Sequence, residues 1–294
     1  MKFLLCFFFS ISGAWAQIKT VSLHPLLTDL IQQVGGEQVT VIDLIGKTGD
    51  PHHFEPSAEQ IKSTQGAVLY FVSGKGLESY LPSLKNIIGN SAKVIEVGAT
   101  LPSIEGACNH EHHNHDDEHE HSIDPHWWHS IENFRRATTV VANELSTASP
   151  TQRTYFEKNA TAYRAKLEEL DRWARKEIAK IPKEKRQLAT AHDAFGYFCK
   201  DYQFTAIPVQ GINREQAPGT AALAALMKEL KDHRVTAIFP EKESNPKILA
   251  ALTKDTGIAL AEPLIADGTN VDTYEEMIRH NISTIVKSLS PVRE

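Results

Sequence analysis

Short apolar runs alternate with amphipathic stretches over most of the chain. Between residues 18 and 97, strand-like runs at residues 20–23, 39–44, 67–72 and 94–97 are separated by stretches with helical periodicity. The alternation resumes after residue 187 and continues to a closing helix predicted over residues 274–289. Strands separated by helices are typical of parallel βαβ units. The pattern therefore predicts two doubly wound α/β lobes.

The longest helical signal lies between these two regions. Its apolar residues recur every three or four positions, which places them on one helical face: Phe156, Ala160, Tyr163, Leu167, Leu170, Ala174 and Ile178. Ser149 and Pro150 predict its start, and Pro182 predicts its end. At 1.5 Å per residue the helix would span roughly 45 Å, more than one small domain. We therefore predict one long rigid helix, residues 149–181, between a first lobe at 17–148 and a second lobe at 182–294.

The first sixteen residues have the features of a signal peptide. Lys2 precedes a short apolar core, and Ala14-Trp15-Ala16 forms the small-x-small pattern that signal peptidase recognises, so the mature chain would begin at Gln17. The apolar core is too short to cross a membrane, which takes roughly 20 residues. Cys6 lacks the small residues that precede a lipoprotein cleavage site. We expect a protein released into the periplasm, not a lipoprotein.

The charge balance narrows the range of partners. The chain has 31 basic and 37 acidic side chains, a net charge of −6 that becomes one unit more negative when Lys2 leaves with the signal peptide. An acidic protein is poorly suited to bind nucleic acid or an anionic membrane, and better suited to bind cations. Cys108 and Cys199 remain in the mature chain. They could form a disulfide, or Cys108 could supply a thiolate to a metal.

A histidine-dense loop is predicted at residues 109–121. Six imidazoles and five carboxylates fall within twelve of its positions, and the histidines are His110, His112, His113, His115, His119 and His121. Imidazole is the commonest side-chain ligand for zinc and similar metals, so this composition indicates auxiliary, weak metal binding. The alternative is a solvated acidic spacer without a metal.

Four residues follow predicted strands and are candidates for a tighter site. The tripeptide Asp-Pro-His occurs at residues 50–52 and again at 124–126. In doubly wound sheets, ligands bind at the C-terminal ends of the strands, where these candidates lie, two in each lobe. They are His52, His126, His192 and Asp267. Three imidazoles and one carboxylate suit Zn²⁺, so we predict a metal site in the cleft between the lobes.

The other histidines have simpler expected roles. His24 precedes Pro25 and is placed to cap a helix or to support the site. His53 stands next to His52, and one of these two histidines is expected to face solvent. His233 and His280 lie in helical segments with charged neighbours and are expected at the surface.

Several of these segments resemble one known family, the zinc and manganese receptors (solute-binding proteins) of metal-importing ABC transporters. The matching segments are DPHHFEPS at 50–57, DPHWW at 124–128, AHDAFGYF at 191–198, GINREQAP at 211–218 and FPEKESNPK at 239–247. The resemblance implies that His52, His126 and His192 are metal ligands. It implies Asp267 as the fourth ligand, with Glu262 or a water molecule as the alternative. It also implies a monomeric receptor that is not an enzyme and that delivers its metal to a membrane permease.

Other functions remain open. Three imidazoles with one carboxylate favour Zn²⁺, whereas Mn²⁺ prefers more oxygen ligands, so a manganese receptor is the alternative for the metal. A periplasmic zinc buffer without a transporter would have the same site. A zinc hydrolase is a remote alternative, because the His-Glu-x-x-His motif is absent: His110-Glu111 is followed by Asn114 where the second histidine should fall.

Overall fold

The computed structural model describes residues 17–106, 123–210, 219–241 and 246–291. The first lobe alternates strands and helices as the sequence pattern predicts. Its elements are β1 (Ile18–Ser22), α1 (Pro25–Gly35), β2 (Val39–Asp43), α2 (Ala58–Ser63), β3 (Leu69–Val72), α3 (Leu81–Ile88) and β4 (Lys93–Glu96). Each helix between two parallel strands makes one crossover connection.

Two long helices follow, α4 (Ile131–Ala148) and α5 (Arg153–Ile178). The sequence pattern predicts α5 but not α4. A 3-10 turn at Pro150–Gln152 separates them, and Ser149 ends α4 where it was expected to begin α5. The 26 residues of α5 therefore span about 39 Å, less than predicted. The two helices pack side by side, and the Arg164 guanidinium donates to Thr139 Oγ1 at 3.0 Å.

All seven apolar residues of the predicted α5 stripe are buried. The helix contacts both lobes. Asn159 Nδ2 donates to the Val34 carbonyl of α1 at 3.1 Å, and the Tyr202 hydroxyl of the second lobe donates to Asp171 Oδ1 at 3.3 Å. The connection between the lobes is therefore a packed helix, as predicted, stabilised by a second helix beside it.

The second lobe repeats the plan of the first. Its elements are β5 (Gln187–His192), α6 (Gly196–Tyr202), β6 (Thr205–Gln210), α7 (Thr220–Asp232), β7 (Ala237–Phe239), α8 (Pro246–Thr256), β8 (Ala259–Leu260) and α9 (Tyr274–Leu289). The strand order is β2-β1-β3-β4 in one sheet and β6-β5-β7-β8 in the other, and all paired neighbours are parallel. The predicted fold class, two doubly wound α/β lobes, is confirmed.

The hydrophobic core explains how the two lobes are joined. One large buried cluster contains apolar residues of α1, α4, α5, α6 and α9 together with residues of both sheets. Two smaller clusters fill the outer parts of the lobes.

Among the described residues, no helix combines the length and the apolar character needed to cross a membrane.

Candidate metal centre

The four candidate ligands lie together at the C-terminal ends of the strands. His52 follows β2, His126 lies between β4 and α4, His192 is the last residue of β5, and Asp267 follows β8. Potential ligand atoms of all four lie within 4.8 Å of one another. Their side chains are buried. Glu262, the alternative fourth ligand, is exposed and lies outside this cluster.

The distances within the cluster are close to those of one coordination sphere. Nε2 of His52 lies 3.1 Å from Nε2 of His126, and Oδ1 of Asp267 lies 3.6 Å and 3.9 Å from these two nitrogens. In a tetrahedral zinc site with bonds of 2.0–2.1 Å, neighbouring donor atoms are about 3.3 Å apart. Small side-chain adjustments would therefore bring these atoms around one ion.

His126 is held by the aspartate of its own motif. Asp124 Oδ1 accepts a hydrogen bond from the His126 backbone N–H and contacts Nδ1 of the ring, both at 2.8 Å. An N–H on Nδ1 leaves the lone pair of Nε2 directed at the cluster. Burial lowers the pKa of His126, and Asp124 opposes this effect. Burial thus favours the neutral imidazole that metal binding requires.

His192 is held in a similar way by a more distant carboxylate. Glu241, two residues after β7, accepts a hydrogen bond from the His192 backbone N–H at 3.2 Å and contacts Nδ1 of the ring. Nε2 of His192 is buried and has no hydrogen-bond partner among the described residues. Glu241 has no role among the predictions made from the sequence. The available signal was an acidic residue just beyond the strand that pairs with β5.

The first Asp-Pro-His motif uses its aspartate differently. Asp50 Oδ1 accepts a hydrogen bond from the His52 backbone N–H at 2.9 Å, but its Oδ2 lies 3.0 Å from Nδ1 of His53. His53 is exposed, so it is the member of the pair that faces solvent. The two motifs therefore share a turn and differ in which imidazole the carboxylate holds.

Two further buried histidines lie near the cluster. His24 caps α1 as predicted, because its Nδ1 accepts a hydrogen bond from the Leu26 N–H at 3.2 Å. The ring of His129 packs on Phe195 with 4.2 Å between ring centroids. Burial lowers the pKa of both imidazoles to about 3, so both are neutral.

Other residues singled out by the sequence lie at the surface, in the core or outside the described residues. His233 and His280 are exposed, as predicted. The six histidines of the 109–121 loop and the segment 211–218 lie outside the described residues, as does Cys108 with its disulfide and thiolate predictions. Cys199 is buried, and burial raises the pKa of its thiol.

Two α/β lobes with a buried imidazole and carboxylate cluster between them define a class, the two-lobe substrate-binding proteins. The family follows from comparison with known proteins. Residues 21–288 match the family model described as "ZnuA: Zinc-uptake complex component A periplasmic". The chain belongs to this family of metal-binding substrate-binding proteins of ABC transporters.

Relatives and solved structures agree with this assignment. The chain is 32% identical to the manganese-binding lipoprotein MntA of Bacillus subtilis (strain 168), over 93% of this chain and 90% of the relative. It is 29% identical to the metal ABC transporter substrate-binding lipoprotein SloC of Streptococcus mutans, with the same coverage. The periplasmic zinc binding protein TroA from Treponema pallidum superposes with a TM-score of 0.82 at 26% identity, over 94% of this chain and all of that one.

The protein is therefore an extracytoplasmic receptor for a divalent metal, and not an enzyme. Its partners are the metal ion and the membrane permease of an ABC importer. Both sequence relatives named above are lipoproteins, which conflicts with the expectation that this chain has no lipid anchor.

Proposed function

We propose that this receptor binds Zn²⁺ with His52, His126, His192 and Asp267 in the cleft between its lobes and delivers it to an ABC permease for import. The observation that carries the proposal is the convergence of these four buried side chains, with ligand atoms within 4.8 Å of one another. Carboxylates behind His126 and His192 direct both Nε2 atoms into the cluster.

The ligand set supports zinc over manganese. Three imidazole nitrogens and one carboxylate suit Zn²⁺, whereas Mn²⁺ favours carboxylates, carbonyls and water. The matching family model is described as a zinc-uptake component, and TroA as a zinc binding protein. Manganese is the second candidate, because MntA of Bacillus subtilis is described as manganese-binding.

Affinity alone does not separate these candidates. Zn²⁺ binds more tightly than Mn²⁺ to almost any site of this kind, so even a manganese receptor would prefer Zn²⁺ in a titration. The metal content of protein purified from its native compartment, without chelator or affinity tag, separates the two receptors.

Single substitutions test the assignment of the ligands. Each candidate ligand is replaced by alanine in turn: His52→Ala, His126→Ala, His192→Ala and Asp267→Ala. Loss of a residue that only supports a ligand already weakens metal binding by about 10-fold or more. We therefore expect each of these substitutions to weaken Zn²⁺ binding by more than about 10-fold. Competition titration with a chromogenic chelator measures the change. The matched control is His53→Ala, which removes an exposed imidazole next to His52 and should leave the affinity unchanged. Wild-type affinity in all four variants would contradict the assignment.

The proposal also covers the compartment, the oligomeric state and the auxiliary metal sites of the receptor. We propose that the mature chain is a periplasmic monomer, and that the histidines of the 109–121 loop supply weak auxiliary sites. A zinc buffer without a transporter is the alternative. Loss of high-affinity zinc uptake after deletion of the gene supports the receptor, and unchanged uptake supports the buffer.

A further inference from the structure

Trp128 occupies a fixed position beside the candidate metal centre. It lies in the 3-10 turn Trp127–His129 and is 1% exposed. Its ring lies 4.4 Å from the ring of His24 and 5.2 Å from the ring of His126, measured between centroids. The Tyr274 hydroxyl donates to the Trp128 carbonyl at 2.8 Å. Contacts on several sides therefore hold the indole in one orientation.

The indole N–H reaches the chain next to Asp267. Trp128 Nε1 donates to the Ala266 carbonyl at 2.7 Å, across 138 residues of sequence. The carbonyl of Ala266 and the N–H of Asp267 belong to one planar peptide group. Fixing this carbonyl therefore restricts the direction in which the backbone of Asp267 continues.

The residues after Asp267 are also held by the first lobe. A Cβ atom at Gly268, which has φ +73°, would lie 2.5 Å from Cγ of Leu26, so the loop passes directly against α1. Asn270 N–H donates to the Lys47 carbonyl at 2.7 Å. Asp267 follows the strands of the second lobe in sequence, and Asn281 of α9 holds both backbone polar groups of Ile265 at 2.8 Å, but residues of the first lobe and the adjoining 3-10 turn also hold the segment around Asp267.

We propose that Trp128 is a positioning residue of the metal centre, whose indole N–H holds the Ala266 carbonyl and so keeps the Asp267 carboxylate against His52 and His126. This inference rests on the proposed function, because it takes Asp267 as a metal ligand. Without the N–H, the Ala266 carbonyl would lose a buried donor, and the peptide that leads into Asp267 would lose the restraint nearest to the carboxylate.

The decisive variant is Trp128→Phe, which keeps an aromatic ring and removes the N–H. Loss of a group that orients a ligand typically costs about 10- to 100-fold in metal affinity, and we expect a loss of at least about 10-fold for Zn²⁺. The visible spectrum of the Co²⁺-loaded variant should also change, because its bands depend on the ligands around the ion. Trp127→Phe is the matched control. It removes the indole N–H that donates to Ser73, which has no part in the proposed site, and should change neither readout.

A double mutant separates positioning from general structural damage. In an Asp267→Ala background, Trp128→Phe should change the Zn²⁺ affinity by less than about twofold, because the side chain it positions is gone. Additive losses, or wild-type affinity and spectrum in Trp128→Phe, would overturn the proposal. If Asp267→Ala alone keeps wild-type affinity, the ligand assignment fails instead, so the two failures are distinguishable.

A measurement on the wild-type protein covers the case in which Trp128→Phe does not fold. The indole N–H resonance of Trp128 can be assigned by elimination with Trp127→Phe and Trp173→Phe. A buried, hydrogen-bonded N–H exchanges slowly with solvent. We expect this proton to be protected and its protection to increase when Zn²⁺ binds. Rapid exchange in the metal-bound protein would overturn the proposal.

Discussion

Carboxylates direct two of the three candidate imidazoles at the scale of single residues. Asp124 holds Nδ1 of His126 from two positions away in the sequence, and Glu241 holds Nδ1 of His192 from 49 positions away. The two carboxylate–imidazole contacts are therefore alike, but the first joins neighbouring residues and the second depends on the pairing of β5 with β7. The result in both cases is a buried Nε2 that faces the cluster.

This difference explains which site residues the sequence could predict. His52 and His126 stand in a repeated tripeptide, and His192 and Asp267 follow strands, so the rule about strand ends selects them. Glu241 also follows a strand, but the sequence does not show that it contacts His192, because the two residues are close only after the second sheet has formed. Its role had to be read from the structure.

Glu78 illustrates a carboxyl group buried for a structural reason. It is 4% exposed and accepts hydrogen bonds from the N–H groups of Ser73 and Gly74 at 2.6 Å and 2.9 Å. These residues begin a tight turn after β3 in which Gly74, Lys75 and Gly76 all have positive φ. Burial raises the pKa of Glu78 to about 7, although the backbone N–H groups oppose the shift.

The raised pKa of Glu78 predicts a pH-dependent stability. Because its folded-state pKa exceeds the unfolded value of 4.5, its contribution is fully present below pH 4.5 and is lost as the pH rises through about 7. The shift corresponds to about 3 kcal/mol between these limits. The free energy of unfolding of the wild type, relative to Glu78→Gln, should therefore fall by this order across the window. Urea denaturation at several pH values measures it.

An exposed carboxyl group provides the control for this experiment. Glu59→Gln removes a carboxylate on the surface of α2 and should keep the pH dependence of the wild type. Parallel curves for Glu78→Gln and the wild type would show that Glu78 does not titrate in this range.

At the scale of elements, the sequence predicts α5 but not its neighbour α4. The buried face of α5 is entirely apolar apart from the Tyr163 hydroxyl, so its period is plain. The buried residues of α4 include Asn133, Thr138 and Ser146, which interrupt the apolar period. Tertiary packing against α5 stabilises a helix whose own pattern is weak. This is why α4 was missed, although it lies beside the element predicted most clearly.

A buried carboxylate joins three of the helices. Asp29 of α1 accepts hydrogen bonds through Oδ2 from the Tyr274 N–H of α9 and the Tyr163 hydroxyl of α5, at 2.9 Å and 3.3 Å. Burial raises the pKa of Asp29, and these donors oppose the shift. The start of α9, which follows the Asp267 loop, is thereby fixed to the first lobe.

At the scale of the whole molecule, the metal centre lies where the two sheets and the helix layer meet. The Lys47 carbonyl accepts a hydrogen bond from the Asn270 N–H, and the Lys47 ammonium pairs with Asp272 at the surface. The loops that carry His52 and Asp267 are thus connected to each other. The fold class could be predicted because alternating strands and helices specify parallel lobes. The contacts between the lobes could not, since they join residues far apart in the sequence, such as Lys47 with Asn270 and Trp128 with Ala266.

Deleting residues 110–121 tests whether the histidine-dense run and the cleft bind zinc independently. The four candidate ligands of the cleft do not include this run, so the deletion should remove weak zinc equivalents and keep the single tight one. Isothermal titration counts both classes. A control of the same length replaces the six histidines with asparagine and should give the same result. Loss of the tight equivalent in either variant would mean that the run supplies a ligand to the cleft.

The central claim is that His52, His126, His192 and Asp267 bind Zn²⁺ in the native protein. X-ray absorption spectroscopy of the deletion variant, purified from its native compartment without chelator or tag, tests this claim most directly. We expect a zinc edge and a coordination sphere of three imidazole nitrogens and one oxygen at about 2.0–2.2 Å. A manganese edge would contradict the choice of metal, and a zinc sphere that contains sulfur or fewer than three imidazoles would contradict the site.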